Sequence, residues 1–178
     1  MTHQIVRYPS GVLMDVAEPV TEFGEELQAL ARDLAETCTE YQGLGLAAPQ
    51  IGVNQRVIFV KGPDDDPLVL VNPSWHPAPV ANTWLADEGC LSLPGLQVTI
   101  ERVDTIEVQA LTVNREPLEF VAQGLWARTL QHEIDHLEGT LTVDHLSKGL
   151  RSLVLAGYRK NLKKMTRNFN RMVKGRAA

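Results

Sequence analysis

The sequence predicts an α+β fold, with small antiparallel β-sheets wrapped around a central metal-binding helix and a long C-terminal helix after them. Three patterns lead there. Residues 125–138, between Gly124 and Gly139, read as a helix that carries His132, Glu133 and His136. Short apolar or alternating runs at 56–60, 68–71, 103–113 and 118–122 read as strands separated by turn residues. Beyond Ser147, apolar residues recur at helical spacing almost to the end of the chain.

Taken in order, Pro9, Gly11 and Pro19 make the first twenty residues an extended, turn-rich entry. Leu27, Leu30, Ala31, Leu34, Ala35, Cys38 and Tyr41 then mark one buried stripe of a helix over 25–42, with Gly43 as its C-terminal cap. The runs 56–60 and 68–71 read as buried strands around the polar loop 61–67. Ile106, Val108 and Ala110 share one face of a strand; Asn114, Arg115 and Glu116 turn the chain; Leu118, Phe120 and Ala122 alternate again, making a β-hairpin. At 178 residues the chain can bury a full core as one domain. We read residues 1–146 as the body of the domain and 147–178 as a C-terminal helical extension of it.

The extension differs in charge. After Ser147 there are ten Lys or Arg and no Asp or Glu, so the preceding body holds seven basic against 22 acidic residues. Leu150, Leu153, Val154, Tyr158, Leu162, Met165, Phe169 and Met172 follow its apolar stripe. Such a basic amphipathic helix packs on an acidic body, or faces RNA or an anionic membrane. Charge asymmetry alone does not choose among these.

The chemistry concentrates in three motifs. In Gln131-His132-Glu133-Ile134-Asp135-His136 the two histidines lie four apart, on one helix face, where both imidazoles reach one cation. Glu133 projects beside them as a base for a metal-bound water. This H-E-x-x-H pattern supplies two ligands. A downstream third histidine is missing, since position 142 is Thr142, and Asp144 is the last acidic residue. His3 and His76 have no motif around them, and His145 has only the turn after the helix. Cys90, in Glu88-Gly89-Cys90-Leu91-Ser92, is the better candidate, although a lone buried cysteine is more often an inert core thiol. The third motif is Gly43-Leu44-Gly45-Leu46-Ala47-Ala48-Pro49-Gln50. Its small residues admit a second backbone, and Gln50 offers an amide donor to a developing oxyanion.

Together these three motifs resemble the signature of the peptide deformylases, in the family's order, with the likeness running from about Arg7 to Leu146. The resemblance implies removal of the N-formyl group from the initiator methionine of new polypeptides, with release of formate. It implies that Cys90, His132 and His136 hold one divalent metal, Fe(II) physiologically, with zinc, nickel or cobalt in a purified sample. Glu133 would be the proton carrier, with Gln50 and the backbone N–H of Leu91 at the oxyanion. Gly45 and Gly89 would line an extended peptide, and Leu44, Leu125 and Thr129 would wall the methionine pocket, with Arg128 at its rim. Glu88 is expected to accept from a ligand or a substrate amide, and Asp135 to pair with Arg102. The basic extension would then face the ribosome. Gln97, where many members are basic, and Trp126 and Arg128, where small apolar residues are usual, depart from the family pattern. They leave the chemistry intact and bear on preference beyond the first residue.

Two cysteines make no disulfide framework, the first residues carry no apolar signal core, and no stretch approaches a membrane span. The expectation is a cytoplasmic, monomeric enzyme. Two rivals have distinct signatures. An endopeptidase needs a third ligand after the helix. A metal-stapled RNA-binding module needs a fourth protein ligand and leaves Glu133 and Gln50 without a role.

Overall fold

A computed structural model describes the backbone of residues 1–175 and the side chains of residues 1–163. Met1–Leu141 form one compact unit and Thr142–Ala178 a second.

In the first unit, an extended entry with a 3-10 turn at Gly11–Leu13 leads to α1 (Glu25–Glu40). Seven strands follow: β1 (Gly45–Ala47), β2 (Val57–Lys61), β3 (Pro67–Pro77), β4 (Thr83–Gly89), β5 (Gln97–Val103), β6 (Thr105–Leu111) and β7 (Pro117–Gln123). Helix α2 (Gly124–Leu137) completes the unit. Strands β1-β2-β3-β6-β7 form one antiparallel sheet in that order, and β4 pairs with β5 in a separate antiparallel sheet. The α+β class and the hairpin β6–β7 agree with the expectation.

Burial explains the patterns. In β2, Val57 and Phe59 pack in the cluster that holds Leu27, Leu30, Leu34 and Cys38 of α1. The alternate residues Ile58 and Val60 pack in the cluster that holds Ala127, Leu130, Ile134 and Leu137 of α2. Both faces of β2 are covered, which is why its sequence is an unbroken apolar run. In β6 and β7 the two faces differ, so those strands alternate: Ile106, Val108, Ala110 and Ala122 join the α2 cluster. Each fully buried leucine of α2 contributes about 2–3 kcal/mol by the area it removes from water.

Three elements differ from the sequence reading. Helix α1 ends before Gly43, and the left-handed residue behind it is Gln42, at φ 55°. Gly43 has a packing role instead, because a Cβ there would lie 3.0 Å from the Cys38 sulfur. Strand β3 runs on past 71 through a bulge at Asn72, whose amide exchanges hydrogen bonds of 2.8 and 2.9 Å with the backbone N–H and C=O of Val20, pinning the entry segment. The 103–113 run divides at Asp104 into the end of β5 and β6, and the sheet β4–β5 has no counterpart in the sequence reading. In β4 the one buried side chain is Glu88, so hydrophobic alternation could not announce that strand, whereas β5 buries Val98 and Ile100 in alternation before Arg102.

The second unit holds a 3-10 turn at Thr142–His145 and the 28-residue helix α3 (Lys148–Gly175), with Arg151 paired to Asp144 at 2.7 Å. Of the stripe, Leu150 and Leu153 are exposed and Tyr158 is buried, as is Leu155, which the stripe omits. The side chains of Met165, Phe169 and Met172 lie outside the described residues. Among the described residues, no helix is long and apolar enough to cross a membrane.

Gly139 closes α2 at φ +67°, and a Cβ there would sit 2.6 Å from the Met14 carbonyl oxygen. Gly139→Ala is therefore expected to lower stability by about 2–3 kcal/mol. Urea unfolding would read this as a lower midpoint at unchanged slope, and an unchanged midpoint would contradict the assigned backbone geometry.

Candidate metal centre and cavity

His132 and His136 stand one turn apart on α2, with ring centroids 5.0 Å apart and edge-on. Cys90 follows β4 directly, and its Sγ lies 3.3 Å from His136 Nε2. One donor atom from each of the three residues lies within 4.8 Å of the others. Cys90 and His136 are buried, and His132 is partly so. Burial opposes ionisation of Cys90, but the imidazoles of His136 and His132 outweigh it and hold the thiol well below its ordinary range. Burial likewise disfavours a charged His132, yet its contacts with Cys90 and Glu88 push it well above the usual value. The cluster thus attracts positive charge, and a thiolate with two imidazoles is a donor set that suits zinc, iron, cobalt or nickel.

Glu133 is 4% exposed, and burial raises its pKa while the neighbouring histidines pull the other way. Its Oε2 is buried and has no hydrogen-bond partner among the described residues. On the β1 side, a Cβ at Gly45 would lie 2.7 Å from both the Cγ and Oε1 of Glu133. Only glycine permits that approach. Gln50 is anchored by its Oε1, which accepts the Ala47 N–H at 2.8 Å. Its Nε2 donates toward Ser92 Oγ at 3.3 Å and Cys90 Sγ at 3.7 Å.

Behind the cluster sits a buried ionic network centred on Glu88. Arg102 grips this carboxylate with two nitrogens, Nε to Oε1 at 2.8 Å and Nη2 to Oε2 at 3.0 Å. Arg128 Nη1 donates to Oε1 at 2.6 Å. The same carboxylate's Oε2 lies 2.9 Å from His132 Nδ1, which fixes the ring that carries the candidate ligand atom. Arg102 Nη1 also donates to Asp135 at 2.7 Å. Burial opposes the charge on Glu88, but the hydrogen bonds from His132 and Arg102 outweigh it and hold the carboxyl far below its ordinary range. The Glu88 and Asp135 pairings agree with the sequence reading, and the network is buried rather than a surface feature.

A cavity of ≈ 740 Å³ opens over this centre. Gln50, Leu91, Leu44, Gly45, Gly89, Leu125 and Thr129 line it, together with Cys90, His132 and Glu133; His136 lies behind the wall. Leu44 and Leu125 are about half exposed, so they offer apolar surface at the mouth. Arg128 is misplaced by the sequence reading. It lines the cavity, but at 3% exposure it does so as a buried residue bound into the network and not as a solvent-facing rim. Gln131 has no role in the sequence reading beyond its motif. Its buried amide pairs with both the N–H and the C=O of Val103, at 3.2 and 2.8 Å, tying α2 to the end of β5 as a strand neighbour would. Only a glutamine beside a candidate histidine ligand on the apolar face could have hinted at this.

An α+β fold whose central helix sets two histidines and a glutamate against a strand-end cysteine has the donor set and the buried base of a metal-dependent hydrolase. Residues 2–152 match the Polypeptide deformylase family. The peptide deformylase of Acidobacterium capsulatum is 42% identical over 164 residues, covering 90% of this chain and 95% of that protein. The crystal structure of a peptide deformylase from Legionella pneumophila superposes with a TM-score of 0.84 at 37% identity, covering 94% of this chain and 99% of that one. That of Ehrlichia chaffeensis peptide deformylase in complex with actinonin gives a TM-score of 0.83 at 35% identity, covering 90% and 97%. The chain belongs to the polypeptide deformylase family, metal-dependent hydrolases that remove the N-formyl group from new polypeptides.

Cys38 stands apart, on the buried face of α1, and burial together with the charge of Glu133 pushes its thiol up to about 12. The thiol ionises far more easily in the unfolded chain, so its contribution is complete below pH 9 and is lost as pH rises toward 12. Urea unfolding between pH 9.5 and 11 is expected to show stability falling faster in the wild type than in Cys38→Ala, by about 1.4 kcal/mol per pH unit. Parallel slopes would show that the thiol is not protected.

Proposed function

We propose that the cavity over Cys90, His132, His136 and Glu133 is where this chain deformylates the amino-terminal formylmethionine of new polypeptides. The buried, unpartnered Oε2 of Glu133 beside a three-donor cluster carries this reading. Cys90, His132 and His136 would hold one divalent cation, which when bound supplies Lewis acidity and makes water acidic enough to ionise near neutral pH. Glu133 takes the proton of the attacking water. Its raised pKa suits it to return that proton to the departing amine. The Gln50 amide and the Leu91 N–H donate to the negative charge developing on the formyl oxygen. Leu44, Leu125 and Thr129 wall the methionine side chain, while Gly45 and Gly89 expose backbone to an extended peptide.

Thiolate–imidazole ligation and the family resemblance support Fe(II) as the working ion, with zinc, nickel or cobalt able to replace it. The basic segment 147–178 extends the catalytic region, residues 1–146, and is proposed to face the ribosome, supported by its ten cationic residues and lack of acidic ones. A monomer in the cytoplasm fits an enzyme that meets emerging chains.

Formate release from a formyl-methionyl tripeptide, measured anaerobically with iron-loaded protein, tests the reading. Glu133→Ala is expected to lower kcat by about 10²–10⁴ while the bound cation stays stoichiometric, and Cys90→Ala to lose the cation. A wild type with a full complement of iron and no formate release would sink the proposal.

A further inference from the structure

We propose that Arg128 is a positioning residue for the candidate metal ligand His132, acting through Glu88; the inference rests on the metal-centre reading above. Residue 128 lies one turn before His132 on α2, and it lines the cavity. Its guanidinium is bound to the sheet β4–β5. Nη1 donates to Glu88 Oε1 at 2.6 Å and to the Ile100 carbonyl at 3.1 Å, and Nη2 donates to the Trp84 carbonyl at 2.7 Å. The Trp84 ring lies under it, 4.3 Å from Cζ to the ring centroid. The Nε atom is buried and has no acceptor among the described residues. A buried N–H left unpaired costs stability, so the head group's placement satisfies its other contacts at the expense of this one.

Those contacts bear on the metal centre because Glu88 is shared. Arg102 alone holds both carboxylate oxygens, but Arg102 is also drawn toward Asp135. A second cation on Oε1, fixed independently to two strand carbonyls and an indole, gives the carboxylate a third anchor. The plane of Glu88 is then determined, and its Oε2 meets His132 Nδ1 in one orientation. The other ring nitrogen is thereby held toward Cys90 and His136.

A purely structural clamp between α2 and the β4–β5 sheet predicts something different, a loss of stability with cation affinity intact. The deciding measurement is the zinc dissociation constant, by competition with a chromophoric chelator, for wild type, Arg128→Met, Arg128→Lys and Trp84→Leu, beside urea unfolding of the metal-free forms. Arg128→Met is expected to weaken zinc binding about 10–100-fold. Arg128→Lys, which keeps the charge but not the fork, should fall between it and the wild type. Trp84→Leu leaves every polar partner in place and should weaken binding about threefold or more through loss of the stacked indole. Unchanged zinc affinity in folded Arg128→Met overturns the proposal. If that variant does not fold, unchanged affinity in both Arg128→Lys and Trp84→Leu overturns it equally. A wild type that binds no stoichiometric zinc would instead overturn the metal-centre reading itself.

Discussion

Glu88 is the charge around which the centre is assembled. A carboxylate this buried is tolerated only when donors replace its lost water, and here Arg102, Arg128 and His132 do so. Those donors come from β5 and from two turns of α2, so satisfying one side chain joins the two-stranded sheet to the central helix. Cys90 follows Glu88 by two residues. Fixing Glu88 against α2 therefore delivers the thiol to the face that carries both histidines. The arrangement is an ionic clamp that also orients His132 beside Cys90 and His136.

Close backbone approach is the second constraint. Strand β1 comes so near α2 that Gly45 must lack a side chain for Glu133 to lie where it does. Gln50 and Gln131 then serve as detached pieces of backbone, each pairing its amide with main-chain or motif atoms across a gap that no strand spans. The large sheet, covered by α1 on one face and α2 on the other, supplies the rigid frame for both. Its apolar packing holds the elements together, while the polar side chains decide their register against each other.

Local periodicity makes much of this legible in sequence. The four-residue spacing of His132 and His136 falls on one face of any α-helix, and the glycine stop at Gly139 and the β6–β7 turn are short-range chemistry. The unbroken apolar run of β2 and the alternation in β6 follow from how many faces each strand covers. By contrast, β4 is hidden because its one buried position carries Glu88, and β5, whose Val98 and Ile100 alternate, pairs only with it. A buried ion pair has the same residue types as a solvated one. Arg128 is misread for the same reason: taken locally it is a charge on a helix, and only its partners from other strands make it an interior residue.

Spacing within single segments, and the order of the motifs, were enough to define the α+β class, the helix that carries two histidines and a glutamate, and the candidacy of Cys90 as their third partner. Three further facts exist only in the folded chain: Cys90 meets His136 at 3.3 Å, Glu133 lies against Gly45, and Arg128 turns inward to Glu88. Each joins residues far apart in the chain. Their geometry is set by packing and by the need to pair every buried charge, neither of which a local pattern records.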